Sequence, residues 1–187
     1  MRGSEYRVDA LALYQFTEKE LKGLLNTLTI LIDTREQNYS HIIEFFNSRK
    51  IPYMNKKLDV GDYAVMIPKN EGMGILRDLH IPVVIERKAH IDELIGNFKA
   101  DKRTAFQNEL IRSKGMDFVL IIEQGSGYSD ILANNYKSEM KPQSVIGTLK
   151  TFESRYDFNT IFIDRQIVPI WIYHHLYYRV RNVLKGD

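Results

Sequence analysis

Carboxylates and a lysine flank two short apolar stretches in the first half of the chain. Asp62 precedes the apolar run 63–67, and Glu86 and Lys88 follow the apolar run 83–85. Charged residues are disfavoured at the ends of buried strands unless they have a task. Paired carboxylates hold hard divalent cations such as Mg²⁺, which polarise a phosphodiester and lower the pKa of an attacking water. The sequence therefore predicts a site for metal-dependent phosphodiester hydrolysis.

The charged residues after the second run alternate in direction if that run is a strand. Successive side chains of a strand point to opposite faces, so Glu86 and Lys88 face one way and Arg87 faces the other. Lys88 would lie beside the cation and stabilise charge on phosphorus or orient the water. Arg87 would contact a phosphate or bind a carboxylate. If the two runs pair as a hairpin, Asp62 and Glu86 converge at the same end.

The rest of the chain supplies the elements that position this site. Thr17 and Glu20 match a capping box, and Ser40 is expected to cap the next helix. Apolar periodicity predicts helices at 17–26, 40–50, 90–98, 103–114, 128–133, 142–155 and 169–184, and strands at 27–33, 52–58, 63–67, 83–85, 117–123 and 159–164. This order predicts an α/β fold, a three-layer α/β/α domain with a central mixed sheet.

The connection between the two strands of the hairpin is long. Residues 69–80 contain Gly72 and Gly74. Such a connection favours a flexible surface excursion, with a substrate-gating loop as the alternative. His80 is expected to be a solvated residue of this loop.

Length and composition indicate an ordinary globular protein. The 187 residues fit one domain at 28–187, preceded by an N-terminal arm and helix at 1–27. The net charge of +2 means that nucleic-acid affinity must come from local patches. The absence of cysteine excludes disulfides and thiolate metal sites. Without a membrane-spanning run or a signal-peptide pattern, we expect an intracellular protein, cytoplasmic or nucleoid-associated, with no membrane partner.

Several motifs occur in a fixed order along the chain. They are Leu31-Ile32-Asp33-Thr34-Arg35-Glu36, Gly61-Asp62, Glu86-Arg87-Lys88 with Asp92, and the segments 103–110 and 118–123. Together they resemble the XPF-type structure-specific endonucleases, a branch of the restriction-endonuclease-like superfamily. The resemblance covers roughly residues 28–165. It implies a Mg²⁺- or Mn²⁺-dependent DNA endonuclease that cuts branched, flap or fork structures in DNA repair or recombination.

The resemblance also implies roles for individual residues. Asp62 and Glu86, with the backbone carbonyl of Arg87, would hold the cation, and Asp33 would be an outer ligand or position the water. Lys88 would stabilise the transition state. Further roles concern supporting groups: Arg35 with Glu36 as an ion pair, Asp92 orienting Arg87 or Lys88, and Glu123 joining the acidic cluster or pairing with Arg103.

A basic segment between two predicted helices is a candidate DNA contact. Lys99, Lys102 and Arg103, together with Arg87, would bind phosphates, since helix amino termini and basic loops attract them. The alternative for Lys99 and Lys102 is a solvated charged turn. Arg103 matches a family position near the active site.

The last predicted helix carries a wide apolar arc. Ile172, Leu176, Val180 and Val183 form one stripe, which indicates either packing on the sheet or a homodimer interface. Members of the resembled family commonly dimerise through neighbouring elements. Larger members add tandem helix-hairpin-helix modules, so the resemblance implies a stand-alone phage or bacterial member. The alternatives are a catalytically silent DNA-binding or scaffold module, and a junction-resolvase or restriction-like nuclease of the same superfamily.

Overall fold

The computed structural model describes residues 16–186, so the predicted N-terminal arm up to residue 15 lies outside the described residues. Helix α1, Glu18–Leu25, begins after Thr17. The predicted capping box is confirmed, because Thr17 Oγ1 accepts the backbone N–H of Glu20 at 3.3 Å and Glu20 Oε2 accepts the backbone N–H of Thr17 at 2.8 Å. These two bonds satisfy backbone donors that the first helical turn leaves without partners.

The other helices of the described chain lie close to their predicted positions. They are α2 Ser40–Ser48, α3 Ile91–Gly96, α4 Ala100–Arg112, α5 Tyr128–Leu132, α6 Pro142–Tyr156 and α7 Val168–Lys185. The predicted cap of α2 is wrong by one residue. Tyr39 occupies the N-cap position, and its carbonyl accepts the backbone N–H groups of Ile42 and Ile43 at 2.9 and 3.2 Å. Ser40 is therefore already inside the helix.

In the described part of the chain, six strands form one mixed sheet. The strands are β1 Thr29–Ile32, β2 Tyr53–Asn55, β3 Tyr63–Ile67, β4 Leu79–Lys88, β5 Asp117–Ile122 and β6 Asn159–Phe162. Their order across the sheet is β2-β1-β3-β4-β5-β6. Strand β3 is antiparallel to both of its neighbours, and the other neighbouring pairs are parallel. The predicted hairpin between β3 and β4 is confirmed.

Helices cover both faces of the sheet. Strand β5 shows this most clearly, because Val119 and Ile121 join the core beneath α1, α2 and α7, whereas Phe118 and Leu120 join the core beneath α3, α4 and α6. Alternate residues of one strand are thus buried on opposite sides, as its continuous hydrophobicity predicted. The three-layer α/β/α fold class is confirmed.

The connection between β3 and β4 is more ordered than its glycines indicated. It contains a 3₁₀ helix at Glu71–Met73, and the backbone groups of Asn70 and Ile75 bond reciprocally at 2.8 and 2.9 Å. The Ile75 side chain is buried in the core beneath α7. Strand β4 begins at Leu79, so His80 is an exposed strand residue and the loop placement was wrong. The apolar residues of the segment anchor it to the core, and its glycines therefore do not make it a flexible excursion.

The last helix packs on the sheet with its predicted stripe. Ile172, Leu176 and Val180 are fully buried, and Val183 is half-buried. The exposed side of the same helix carries Tyr178, whose side chain is about half accessible. The packing explanation of the stripe is therefore observed. Among residues 16–186, no helix has both the length and the hydrophobicity required to cross a bilayer.

Candidate active site

The β3–β4 hairpin brings Asp62 beside the end of β4. Tyr63 pairs with Ile85, and the backbone N–H of Asp62 donates to the carbonyl of Ile85 at 2.9 Å. The Asp62 side chain then accepts the backbone N–H of Arg87 at its Oδ2 atom, at 2.8 Å. These bonds fix the Asp62 carboxylate beside Glu86, Arg87 and Lys88, the last three residues of β4.

A glycine allows the chain to approach β4 this closely. Gly61 has φ of +69°, in the left-handed region that side chains with a Cβ rarely adopt. A Cβ at this position would lie 2.3 Å from Cγ2 of Val84 and 3.0 Å from the carbonyl oxygen of Ile85. The Gly61-Asp62 motif thus combines a tight approach with a carboxylate directly after it.

Glu86 and Lys88 form a buried ion pair on one face of β4, as the strand alternation predicted. Lys88 Nζ contacts Glu86 Oε1, and the two side chains are 10% and 6% exposed. Burial raises the pKa of Glu86 to about 7, although Lys88 opposes this shift. Burial and the neighbouring carboxylates of Glu86 and Glu36 raise the pKa of Asp62 well above its usual value. Without a cation, the charged forms of both carboxylates are therefore disfavoured, mainly by burial.

Arg87 points to the other face and binds carboxylates. Its Nε contacts Glu36 Oε1, its Nη2 donates to the carbonyl of Gln37 at 2.6 Å, and its Nη1 lies 3.1 Å from Glu123 Oε2. The side chain is only 2% exposed. Burial disfavours the charge, but Glu36 and the other acidic neighbours raise the pKa of Arg87 above its usual value. Arg87 thus ties the β1–α2 connection to β5.

Glu123 accepts from two further side chains that the sequence analysis missed. His41 Nε2 lies 2.8 Å from Glu123 Oε1, and Arg165 Nη1 donates to Glu123 Oε2 at 2.8 Å. Arg165 Nη2 also lies 3.0 Å from His41 Nδ1. Neither His41 nor Arg165 stands in one of the motifs, so no sequence signal connected them to the site. The expected partner Arg103 instead lies over the ring of Phe152, 5.0 Å from its centroid.

Asp33 holds the first acidic segment together. Its Oδ1 accepts the backbone N–H and Nε of Arg35, both at 2.7 Å, and its Oδ2 accepts the backbone N–H of Leu58 at 2.6 Å. Burial disfavours the charge of Asp33, but the hydrogen bonds from Arg35 and Leu58 hold its pKa below the usual value. Arg35 therefore pairs with Asp33, and Glu36 pairs with Arg87, rather than Arg35 with Glu36.

A cavity of about 460 Å³ opens over these residues. Its lining consists of Asp62, Arg87 and Lys88, the segment 35–38, and Ala89, His90, Asp92 and Glu93. Asp92 lies at its edge, where Oδ1 accepts the backbone N–H of Lys137 at 2.7 Å. The cavity places the Asp62–Lys88 side of the hairpin within reach of a ligand.

The predicted DNA-contacting residues differ in accessibility. Lys99 and Lys102 are exposed at the start of α4, and Arg103 is half-buried against Phe152. Arg87 is almost fully buried in its ion pairs. Only the lysines are thus fully open to a partner.

The donor set of the site suits a hard cation that keeps part of its hydration shell. Asp62 Oδ1 and Glu86 Oε2 receive no hydrogen bond from any residue between 16 and 186. Among the described side chains, which do not include that of Asp101, no group of three or more His, Cys, Asp or Glu is arranged to hold an ion alone. Mg²⁺ usually takes only one or two carboxylates, with waters and substrate phosphates as the other ligands. The two carboxylates therefore fit such an ion.

A comparison with protein families matches residues 32–167 to the family described as the ERCC4 domain. The chain belongs to the ERCC4 domain family. The match extends from the last residue of β1 to the residue before α7, and it includes Asp33, Asp62, Glu86, Lys88 and Arg165. The resemblance to XPF-type endonucleases is thereby confirmed.

Solved structures show the same fold as this ERCC4 domain. XPF from Aeropyrum pernix matches with a TM-score of 0.58 and 14% identity over 83% of this chain. The same protein in complex with DNA matches with a TM-score of 0.56 and 15% identity over 80% of this chain. The chain spans 66% and 63% of the lengths of these two chains. A sequence comparison with curated proteins gives no match.

Proposed function

We propose that this ERCC4 domain is a divalent-cation-dependent endonuclease that hydrolyses DNA phosphodiester bonds at branched, flap or fork structures. The observation that carries the proposal is the meeting of Asp62, Glu86 and Lys88 at one end of the hairpin, beside an open cavity. The solved relative named as a DNA complex supports DNA as the substrate.

The proposed roles follow from the contacts of each side chain. Asp62 and Glu86 would hold Mg²⁺ or Mn²⁺, which when bound lowers the pKa of water and polarises the phosphodiester. Lys88 would stabilise the charge that develops on the phosphoryl oxygens, from a position fixed by Glu86. Both oxygens of Asp33 already accept hydrogen bonds, so its proposed role is to fix Arg35 and the segment near Leu58.

DNA would be held mainly through its backbone. Lys99 and Lys102 are exposed at the start of α4, and Arg35, whose side chain is 64% exposed, lines the cavity. Phosphate contacts fix position without reading sequence. Substrate choice would therefore depend on the shape of the DNA.

A homodimer through α7 is proposed as the assembled form. Ile170 and Tyr178 are 40% and 54% exposed on the side opposite the buried stripe. Light scattering of the purified protein would show a dimer, and a double Ile170→Glu, Tyr178→Glu variant would be monomeric. Removal of the whole helix is unsuitable as a test, because α7 contributes to the core.

Cleavage assays test the proposed function. Labelled flap, fork, four-way junction and linear duplex DNA would be incubated with the full chain and Mg²⁺, with EDTA, and with an Asp62→Asn variant. We expect cuts in flap and fork DNA that require both the cation and Asp62. Binding without any cleavage would instead identify a silent DNA-binding or scaffold module. Preferential cutting of four-way junctions or linear duplex would identify a resolvase-like or restriction-like nuclease.

A further inference from the structure

Glu109 lies on α4, outside the residues assigned to the active site. Two residues of this helix, Phe106 and Leu110, are only 3% and 1% exposed. They pack with residues of α3 and α6 in the core on that face of the sheet, which fixes the helix in place. From this fixed helix, Glu109 Oε1 accepts the backbone N–H of Gly61 at 3.0 Å. The bond joins residues that are 48 positions apart in the chain.

The turn before β3 depends on this contact. Gly61 is buried, and a buried N–H without a hydrogen-bond partner destabilises the folded state. A second contact from α4 acts nearby, since Arg112 Nε donates to the carbonyl of Asp59 at 3.3 Å. Helix α4 therefore holds the turn on both sides of Val60.

The position of Asp62 follows from the orientation of the preceding peptide. Asp62 bonds to β4 through its backbone N–H and through Oδ2. Both bonds require the backbone of Gly61 to keep its position and orientation. Glu109 is also close enough to Glu86 for its charge to contribute to the raised pKa of Glu86. The same side chain thus supports the turn and lies near Glu86.

We propose that Glu109 is a positioning residue of the nuclease, which acts through the Gly61 amide to aim the Asp62 carboxylate at the cation site. The proposal rests on the proposed nuclease function. Displacement of a catalytic group by about 1 Å can cost about 100-fold in rate. The hydrogen bond, rather than the charge of Glu109, is the property that matters.

The test compares Glu109→Ala with Glu109→Gln in the full-length protein. Glutamine retains an acceptor oxygen for the Gly61 N–H, whereas alanine does not. Glu153→Ala is a matched control. Glu153 lies on the distant helix α6, and its Oε1 likewise accepts a backbone N–H, that of Thr160, at 3.2 Å. We expect Glu109→Ala to lower kcat by about 10- to 100-fold with KM for fork DNA within about 2-fold. Glu109→Gln and Glu153→Ala should stay within about 3-fold of wild type.

Hydrogen exchange provides a readout that does not depend on cleavage. Exchange in the segment 59–64 should accelerate in Glu109→Ala and stay at the wild-type rate in Glu109→Gln. Equal kcat in Glu109→Ala and wild type, unchanged exchange in 59–64, or equal damage in both Glu109 variants would overturn the proposal. If the wild type does not cleave DNA, the proposed function fails by itself. The exchange rates then still decide whether Glu109 holds the turn.

Discussion

Oδ2 of Asp62 accepts the backbone N–H of Arg87 at 2.8 Å, so one carboxylate binds the strand that carries the rest of the site. The Arg87 side chain leaves on the opposite face and contacts Glu36 and Glu123. A single residue of β4 therefore joins Asp62 through its backbone to the ion pairs on the opposite face of the strand. Backbone hydrogen bonds fix the position of Asp62, and its Oδ1 atom accepts no hydrogen bond from the described residues.

Two aspartates of the site should respond oppositely to loss of charge. Asp62→Asn should stabilise the cation-free protein, because burial and the nearby Glu86 disfavour its charge. Asp33→Asn should destabilise it, because Arg35 and Leu58 bond to the charged form. A gain of about 1 kcal/mol would raise Tm by roughly 2–4 °C at this chain length. Thermal unfolding in EDTA measures the Tm of both variants. A Tm shift of the same sign in both would contradict the claim that the charge is disfavoured at Asp62 and favoured at Asp33.

Three glycines separate the effects of conformation and of contact. Gly61→Ala should be the most damaging, by more than about 2 kcal/mol, since φ is +69° and Val84 blocks a Cβ. Gly74→Ala should cost about 1–2 kcal/mol. Its φ of +76° is unfavourable for alanine, but an added Cβ would meet no neighbouring atom within 4 Å. Gly147→Ala in α6 should be stabilising by up to about 1 kcal/mol. Urea unfolding measures the order, and equal losses at Gly61 and Gly74 would show that the close approach to β4 is unimportant.

The buried carboxylate of Glu123 makes Arg165 more important than its exposure indicates. Arg165 is 48% exposed and pairs with a fully buried carboxylate. Arg179 is 49% exposed and pairs with Asp117, which is 27% exposed. Arg165→Ala should cost about 1–3 kcal/mol of unfolding free energy, and Arg179→Ala less than about 1 kcal/mol. Similar losses in urea unfolding would mean that Glu123 does not need Arg165.

Replacement of Lys88 should separate catalysis from binding. Lys88→Met retains the length of the side chain and removes the charge, so we expect kcat to fall about 10²- to 10³-fold. DNA affinity measured in Ca²⁺ should change by less than about 3-fold, because the side chain is buried against Glu86. Lys99→Met on the surface is the control, and it should weaken binding and leave kcat at saturating DNA unchanged. Equal losses of rate and affinity in Lys88→Met would identify a phosphate contact instead.

The sequence predicted the fold and the hairpin well because both depend on local patterns. Apolar runs of strand length located β3 and β5, and the capping box located the start of α1. The alternation along β4 also separated Arg87 from Glu86 and Lys88. Such features depend on neighbours in the chain, so they are visible without the tertiary structure.

The supporting residues could not be predicted because they depend on distant parts of the chain. Glu109 meets Gly61 only after α4 packs on the sheet, and Arg165 reaches Glu123 from the connection after β6. The sequence also led us to expect an ion pair between Arg35 and Glu36, which are adjacent in the chain. In the structure Arg35 binds Asp33, and Glu36 binds Arg87. The order of the 69–80 segment was missed because the burial of Ile75 depends on the core beneath α7.

The most direct test is a crystal of the protein soaked in Mn²⁺ and measured for anomalous scattering. We expect a peak between the carboxylates of Asp62 and Glu86, near Lys88, and no peak there in an Asp62→Asn crystal. A wild-type crystal that shows no peak between these two carboxylates, or a peak only elsewhere on the surface, would contradict this expectation.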